Sequence, residues 1–268
     1  MAIPVGYTDD HHRWGPPLSL PRRFAEAVVA AGVFSALYYG VGEYVAPAAV
    51  PLATALDRAI PFLPGSVWVY LPGYIGSFFV VLWVMKPAHA FRAALWAYLS
   101  LALLALPFFV LYNVAGPRPP APTDASLGAA MIRWLYTTDP IGNTFPSLHV
   151  ANATLSALLC WRMDRRVGAF VTALAVGVAV SVLTLKQHFL VDIPAGAILG
   201  WIGYGVWDQQ LVATSARWGS VRRWFRAPLA GGLKVPLART RRATFEQGLR
   251  GPLARDGRES RSSTPHDR

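Results

Sequence analysis

Apolar residues in this chain are gathered into long blocks instead of alternating with polar ones. The blocks run at about Phe24 to Val41, Val67 to Met85, Ala93 to Val114, Leu148 to Trp161, Val167 to Leu185 and Phe189 to Trp207. A helix needs about 20 apolar residues to cross roughly 30 Å of hydrocarbon, and most of the blocks are near that length. The fourth is short; it counts as a span because Arg162 can snorkel at its end while Asn152 and Thr154 face the bundle interior. The pattern predicts an all-α membrane protein, a bundle of six transmembrane helices over residues 24–211, between an N-terminal tail (1–23) and a basic C-terminal tail (212–268).

Two stretches between the blocks have helical spacing: Leu52, Leu56 and Ile60, and Leu127, Met131 and Trp134 with Leu135. They predict short interfacial helices lying on the outer membrane surface. The polar leader and the length of the first block, preceded by Arg22 and Arg23, predict a retained signal anchor and not a cleaved signal peptide.

Composition agrees with the pattern. Hydrophobic residues make up 54% of the chain and charged residues 15%, against roughly 25% charged in soluble chains. The net charge of +11 would point to nucleic acid in a soluble protein, but here its placement along the chain carries the meaning. Of the 25 Lys and Arg residues, only Arg58, Arg118, Arg133 and Lys186 fall in one set of loops; the rest lie in the other set and the two tails. The positive-inside bias puts both termini in the cytoplasm of a cell bearing this protein in its cytoplasmic membrane, and the long loop Ala115 to Ser147 outside. In the tail, Trp218, Val221, Trp224 and Phe225 among Arg217, Arg222, Arg223 and Arg226 suit an interfacial helix on anionic lipid, and the chain beyond Gly231 reads as disordered. Nucleic acid is not an expected partner. The single cysteine, Cys160, excludes an internal disulfide framework and reads as a small buried apolar residue.

Three outward clusters hold the polar groups that could carry chemistry: Gly116-Pro117-Arg118-Pro119-Pro120, Asn143 through His149, and Lys186 through Asp192. His188 and Asp192 are four residues apart, so on a helix the carboxylate can accept from one imidazole nitrogen and leave the other basic enough to attack an electrophile. Ser147 before an apolar run is a natural N-cap, and the free amides of that helix start suit a phosphate. His149, in the first turn, could then pass a proton to a leaving oxygen. Arg118 and Lys186 add positive charge where the outward loops otherwise have little.

Pro146-Ser147-Leu148-His149, His188 with Asp192, and Arg118-Pro119 in this order resemble the membrane-bound type 2 phosphatidic acid phosphatase superfamily, over roughly residues 60 to 207. Phe-Pro-Ser-Leu-His-Val-Ala at 145–151 and Lys-Gln-His-Phe at 186–189 resemble its inositol phosphorylceramide synthase-like branch. The resemblance implies His188 as the nucleophile that becomes a phosphohistidine, Asp192 as its orienting carboxylate and His149 as general acid and then base. It implies Arg118, Ser147 and Lys186 as phosphate ligands, with no metal and no cofactor. Two positions depart from the family pattern: Leu111 stands where a lysine is usual, and Val182 after Ser181 where an arginine is usual. The branch resemblance gives Lys186 the part of the missing cation. Arg133 is a weaker candidate cation, Asn143, Tyr112 and Gln187 are supporting groups, and His11, His12, His89 and His266 fall on the cytoplasmic side without a role.

The implied function is an integral membrane lipid phosphatase, acting on a lipid phosphate or pyrophosphate at the outer face. A phosphotransferase using an alcohol acceptor is the close alternative. A six-span transporter fits less well, because no charged residue lies deep within a block and no repeat is visible. An inactive scaffold fits less well because both histidines and the aspartate are kept. The lipid and the oligomeric state are left open.

Overall fold

The computed structural model describes residues 14–45, 50–51 and 53–225, with backbone only at 50–51 and 214–225. Residues 1–13, 46–49, 52 and 226–268 lie outside the described residues, and with them most of the polar leader and the basic tail. The elements run α1 (Leu20–Val45), β1 (Val50–Pro51), α2 (Ala55–Ala59), a 3₁₀ turn (Pro64–Ser66), α3 (Val67–Val84), α4 (Ala88–Leu111), β2 (Val114–Ala115), α5 (Leu127–Thr138), α6 (Leu148–Met163), α7 (Arg165–Thr184) and α8 (Asp192–Phe225). The fold is all-α apart from the short parallel pairing of β1 with β2. Short helices stand in both expected stretches: α2 holds Leu56 and ends before Ile60, with Leu52 outside the described residues, and α5 holds Leu127, Met131, Trp134 and Leu135. The segment around Trp218 continues the backbone of α8, and its side chains lie outside the described residues.

The expected six membrane-crossing helices are corrected to four. Helices long and apolar enough to cross a membrane, among the described residues, are Leu20–Val45, Pro64–Val84, Ala88–Leu111 and Arg165–Thr184. The block at 148–161 forms α6, which has only 16 residues and buries most of them, Asn152 and Ser156 included. An apolar run of that length marks a helix enclosed by protein as readily as one facing lipid. The block at 189–207 opens as a turn, and α8 begins at Asp192; its apolar character is diluted by that aspartate, by Asp208, Gln209 and Gln210, and by several glycines. The four apolar helices turn Val28, Phe79, Trp83, Trp96 and Phe170 outward, as a lipid-facing surface requires.

Helix α6 lies at the centre and packs against α7, α8, α3 and α4. Two apolar clusters meet on it. One joins Phe91, Leu101, Leu155, Leu159 and Trp207; the other joins Tyr70, Ile132, Val150, Val178 and Leu185. Asp164 both ends α6 and caps α7, accepting from the amides of Arg166 and Val167, so these helices form a tight hairpin. The α6–α8 crossing is closer still. A Cβ on Gly196 would come 2.5 Å from the Ser147 carbonyl oxygen, and one on Gly200 would come 2.5 Å from that of Ala151. Four-residue glycine spacing is what lets two backbones approach this nearly in a membrane bundle. At the opposite end, Arg23 donates to the carbonyls of Leu82 and Trp83, and Glu26 takes both ends of a bond pair from Arg92.

Candidate active site

The tight crossing at Gly196 and Gly200 sets the start of α8 beside the start of α6. Between α7 and α8 the chain makes a Schellman turn: the Lys186 amide donates to Leu183 O at 3.1 Å and the Gln187 amide to Val182 O at 2.9 Å. Lys186 occupies the left-handed position of that turn, at φ 55°, where glycine is the usual residue. The turn sends His188 back over the helix ends.

His188 Nδ1 lies 2.9 Å from Thr144 O and 3.2 Å from Asp192 Oδ2. Both neighbours are acceptors, so Nδ1 carries the proton and Nε2 the lone pair. Asp192 Oδ2 also accepts from the Phe189 amide at 2.8 Å, which locks the carboxylate at the helix start. The lone pair of His188 Nε2 faces His149 Nδ1 at 3.1 Å, and His149 is therefore the donor in that bond. His149 is held between the rings of Tyr70 and Tyr74, with centroids at 5.4 and 4.9 Å. Only 8% of His149, 4% of His188 and 1% of Asp192 is exposed. The three residues singled out from the sequence thus form one buried hydrogen-bonded chain.

Ser147 is the N-cap of α6, its hydroxyl accepting from the Val150 amide at 3.3 Å. Arg118 reaches the same region from the opposite loop. Its Nη1 donates to the carbonyls of Tyr136 and Asp139, and its Nη2 to Asp139 Oδ2 at 2.6 Å and Gln187 Oε1 at 2.7 Å. The Nε of Arg118 and the Nε2 of Gln187 are buried without a protein partner among the described residues, and Gln187 directly precedes His188 in the chain. Lys186 goes elsewhere: its ammonium binds the carbonyls of Asp57, at 2.8 Å, and Ile60. Arg133 is spent on the carbonyls of Pro122 and Asp124, Asn143 donates to Tyr38 O, and Tyr112 is exposed.

Two acids were not legible as site components. Asp139 joins Arg118 to the hydroxyl of Tyr38, 2.6 Å from Oδ1. The only signal for it was that Arg118, if buried, needs a carboxylate. Asp57, on α2, accepts from the Leu190 amide at 2.7 Å and closes a capping box with Thr54. Burial pushes the Asp57 carboxyl up, but the Thr54 side chain, the amides of Leu190 and Thr54 and the Lys186 charge outweigh it, and the net shift is downward. Through Asp57 and Lys186, α2 clamps the loop that carries His188.

A cavity of about 440 Å³ opens from His149 and Asp139 and runs between α1, α3, α4 and α6. It is walled by Phe34, Phe78, Leu82, Phe91, Leu95 and other apolar side chains. On α3 its lining extends from Tyr70 to Leu82, about 18 Å at the helical rise of 1.5 Å per residue. That is near the depth of one leaflet, half of a core roughly 30 Å thick. Helix α1 packs on α4 and touches α3 only lightly, leaving that side of the cavity thinly closed.

Unpaired N–H donors, a histidine pair with its carboxylate and an apolar cavity converge at one end of the bundle. Neither a curated protein nor a solved structure is significantly similar to the chain. The family model described as the PAP2 superfamily matches residues 62–206, more than half of the chain and the stretch that carries Arg118, Ser147, His149, His188 and Asp192. The chain belongs to the PAP2 superfamily, which holds membrane-associated hydrolases and phosphotransferases.

Proposed function

We propose that the protein is a lipid phosphatase that works through a phosphohistidine at the outer face of the cytoplasmic membrane. The observation that carries this reading is the His149–His188–Asp192 chain at the mouth of the apolar cavity. A lipid phosphate lies with its chain in the cavity and its phosphoryl group between the two histidines, replacing their mutual hydrogen bond. His188 Nε2 attacks phosphorus as the bond to the lipid oxygen breaks; Nδ1–H stays on Asp192 and Thr144 O, which spread the charge that forms on the ring. His149 takes the acidic proton of the phosphate monoester monoanion as the lipid binds, then gives its Nδ1 proton to the leaving oxygen and is neutral again. It then takes a proton from water, which attacks phosphorus and releases inorganic phosphate and free His188.

Arg118 Nε, Gln187 Nε2 and the amides at the start of α6 after Ser147 supply donors to the phosphoryl oxygens. Lys186 serves by holding the His188 loop onto α2. The outer-face placement rests on charge: Lys86, Arg92, Arg162, Arg165 and Arg166 all sit at the far end of the bundle from the histidines.

A phosphotransferase of the inositol phosphorylceramide synthase type is the second reading. It is favoured by the near-complete burial of both histidines, which restricts water at the phosphohistidine, and by the residue pattern at 145–151 and 186–189. The test is phosphate release from a panel of lipid phosphates and diphosphates by detergent-purified protein in EDTA, beside His188→Ala and His149→Ala. EDTA-resistant release lost in both variants is the expected result. Release that persists in His188→Ala refutes the nucleophile; a new phospholipid formed only with an added alcohol moves the assignment to the transferase.

A further inference from the structure

One polar pair in the cavity wall is left open. Asn152 lies on α6 three residues beyond His149, so their Cβ atoms are about 5–6 Å apart on the same helix face. Its Nδ2 donates to the hydroxyl of Tyr74 at 3.1 Å. Both residues line the cavity. Asn152 is fully buried and its Oδ1 has no partner, and the proton of the Tyr74 hydroxyl meets no protein acceptor among the described residues. The next polar pair along α6 is closed by contrast: Tyr98 bonds Ser156 at 2.7 Å, and the Ser156 hydroxyl donates back to Asn152 O.

Burying an unsatisfied amide oxygen is costly, and such atoms in native structures call for an occupant. A trapped water needs two to four polar neighbours; this pair offers the minimum of two and leaves the water's second proton without an acceptor from it. A hydroxyl group on a ligand fits better, because it donates to Asn152 Oδ1 and accepts from Tyr74. It does so in either orientation of the amide, since turning the amide over only exchanges which group donates.

We infer that Asn152 and Tyr74 form a recognition site for a hydroxyl group carried, close to the phosphoester, by the lipid whose chain fills the cavity. The inference rests on the proposed phosphoryl-transfer reading for the place of the phosphate at His149 and His188. It selects among lipid classes: hydroxylated lipid phosphates, such as those with a sphingoid or glycerol-type hydroxyl, are favoured over plain prenyl or alkyl phosphates and diphosphates.

The test uses a matched pair, hexadecyl phosphate and 2-hydroxyhexadecyl phosphate, in two assays. Turnover is measured by kcat/KM on the wild type, Tyr74→Phe and Asn152→Leu. Binding is measured by ligand-induced thermal shift with His188→Ala as the background, alone and combined with each of those changes, so that affinity is read without chemistry. The expected result is a preference of about tenfold for the hydroxylated lipid, which collapses towards equality in both variants and is expressed mainly in KM. Equal handling of the two lipids by the unaltered pair, or a preference that survives both substitutions, overturns the inference and leaves the pair as a water site or a structural contact. A binding preference that depends on Asn152 and Tyr74, with no wild-type turnover of either lipid, supports the hydroxyl site while refuting the phosphatase reading.

Discussion

Substituting Asp139 by Ala removes a carboxylate that accepts from Arg118 Nη2 at 2.6 Å and from the Tyr38 hydroxyl at 2.6 Å. The ion pair is well enclosed, with side-chain exposures of 9% and 10%, so solvent screens it little. Breaking a buried pair by deleting one partner costs about 3–5 kcal/mol. The Arg118 guanidinium keeps three oxygen acceptors, the carbonyls of Tyr136 and residue 139 and the side chain of Gln187, which lowers the expectation to about 2–3 kcal/mol. At roughly 2–4 °C per kcal/mol for a chain of this size, Tm should fall by about 4–12 °C.

The assay is thermal unfolding in one detergent at one scan rate, on Asp139→Ala, Arg118→Ala and the double variant. The Asp139 loss should shrink clearly once Arg118 is gone, with a coupling above about 1 kcal/mol. Additivity within about 0.5 kcal/mol would falsify the claim that these groups act as a pair. Asp139→Ala should also lower kcat/KM, because Arg118 Nη2, which bonds both Asp139 and Gln187, loses the stronger of its two anchors.

Asp192→Asn keeps the shape of the acceptor but removes its charge, and should cut kcat by about 10²-fold or more while Tm stays near that of the wild type; unchanged kcat would rule out electrostatic support of His188. Gly196→Ala forces a methyl group into the Ser147 carbonyl, and should cost about 1–3 kcal/mol together with activity; a variant of full stability would mean that the α6–α8 crossing is looser than described. Lys186→Met should weaken turnover through KM and kcat together, because it frees the His188 loop from α2; a loss confined to KM with an altered dependence on phosphate charge would return Lys186 to the phosphate. The Asp57 pKa is depressed in the folded protein, so its contribution is fully present above the ordinary carboxyl value of 3.8 and is lost as the pH falls through the lower folded value. Hydrogen-exchange protection of the Leu190 amide should therefore hold at about pH 5 and fail only in stronger acid; failure between about pH 5 and 7 would contradict the assignment.

Much of the chemistry was legible in the linear chain because it is local. His188 and Asp192 meet across a single turn, Ser147 caps the helix it precedes, and an apolar run following a polar cluster marks where such a helix starts. Helices α2 and α5 were also visible as short periodic stretches. The count of membrane-crossing helices was not, since an apolar run records only the exclusion of water. Both lipid and protein exclude water, and α6, short and bearing Asn152 and Ser156, is enclosed by its neighbours.

The partners of Arg118 and Lys186 could not be read from their spacing either. A cation in a loop reveals its charge but not the direction of its side chain, and only the packed loops show Arg118 on Asp139 and Lys186 on the carbonyls of α2. Apolar patterning and short-range motifs determined that this is a membrane protein of helices with a histidine pair near one end. The close glycine contact of α6 with α8, the clamp from α2 and the cavity between α1 and α3 depend on residues far apart in the chain. Those contacts exist only where side-chain volumes are matched in three dimensions, and there the tertiary structure alone decided how His149 meets His188.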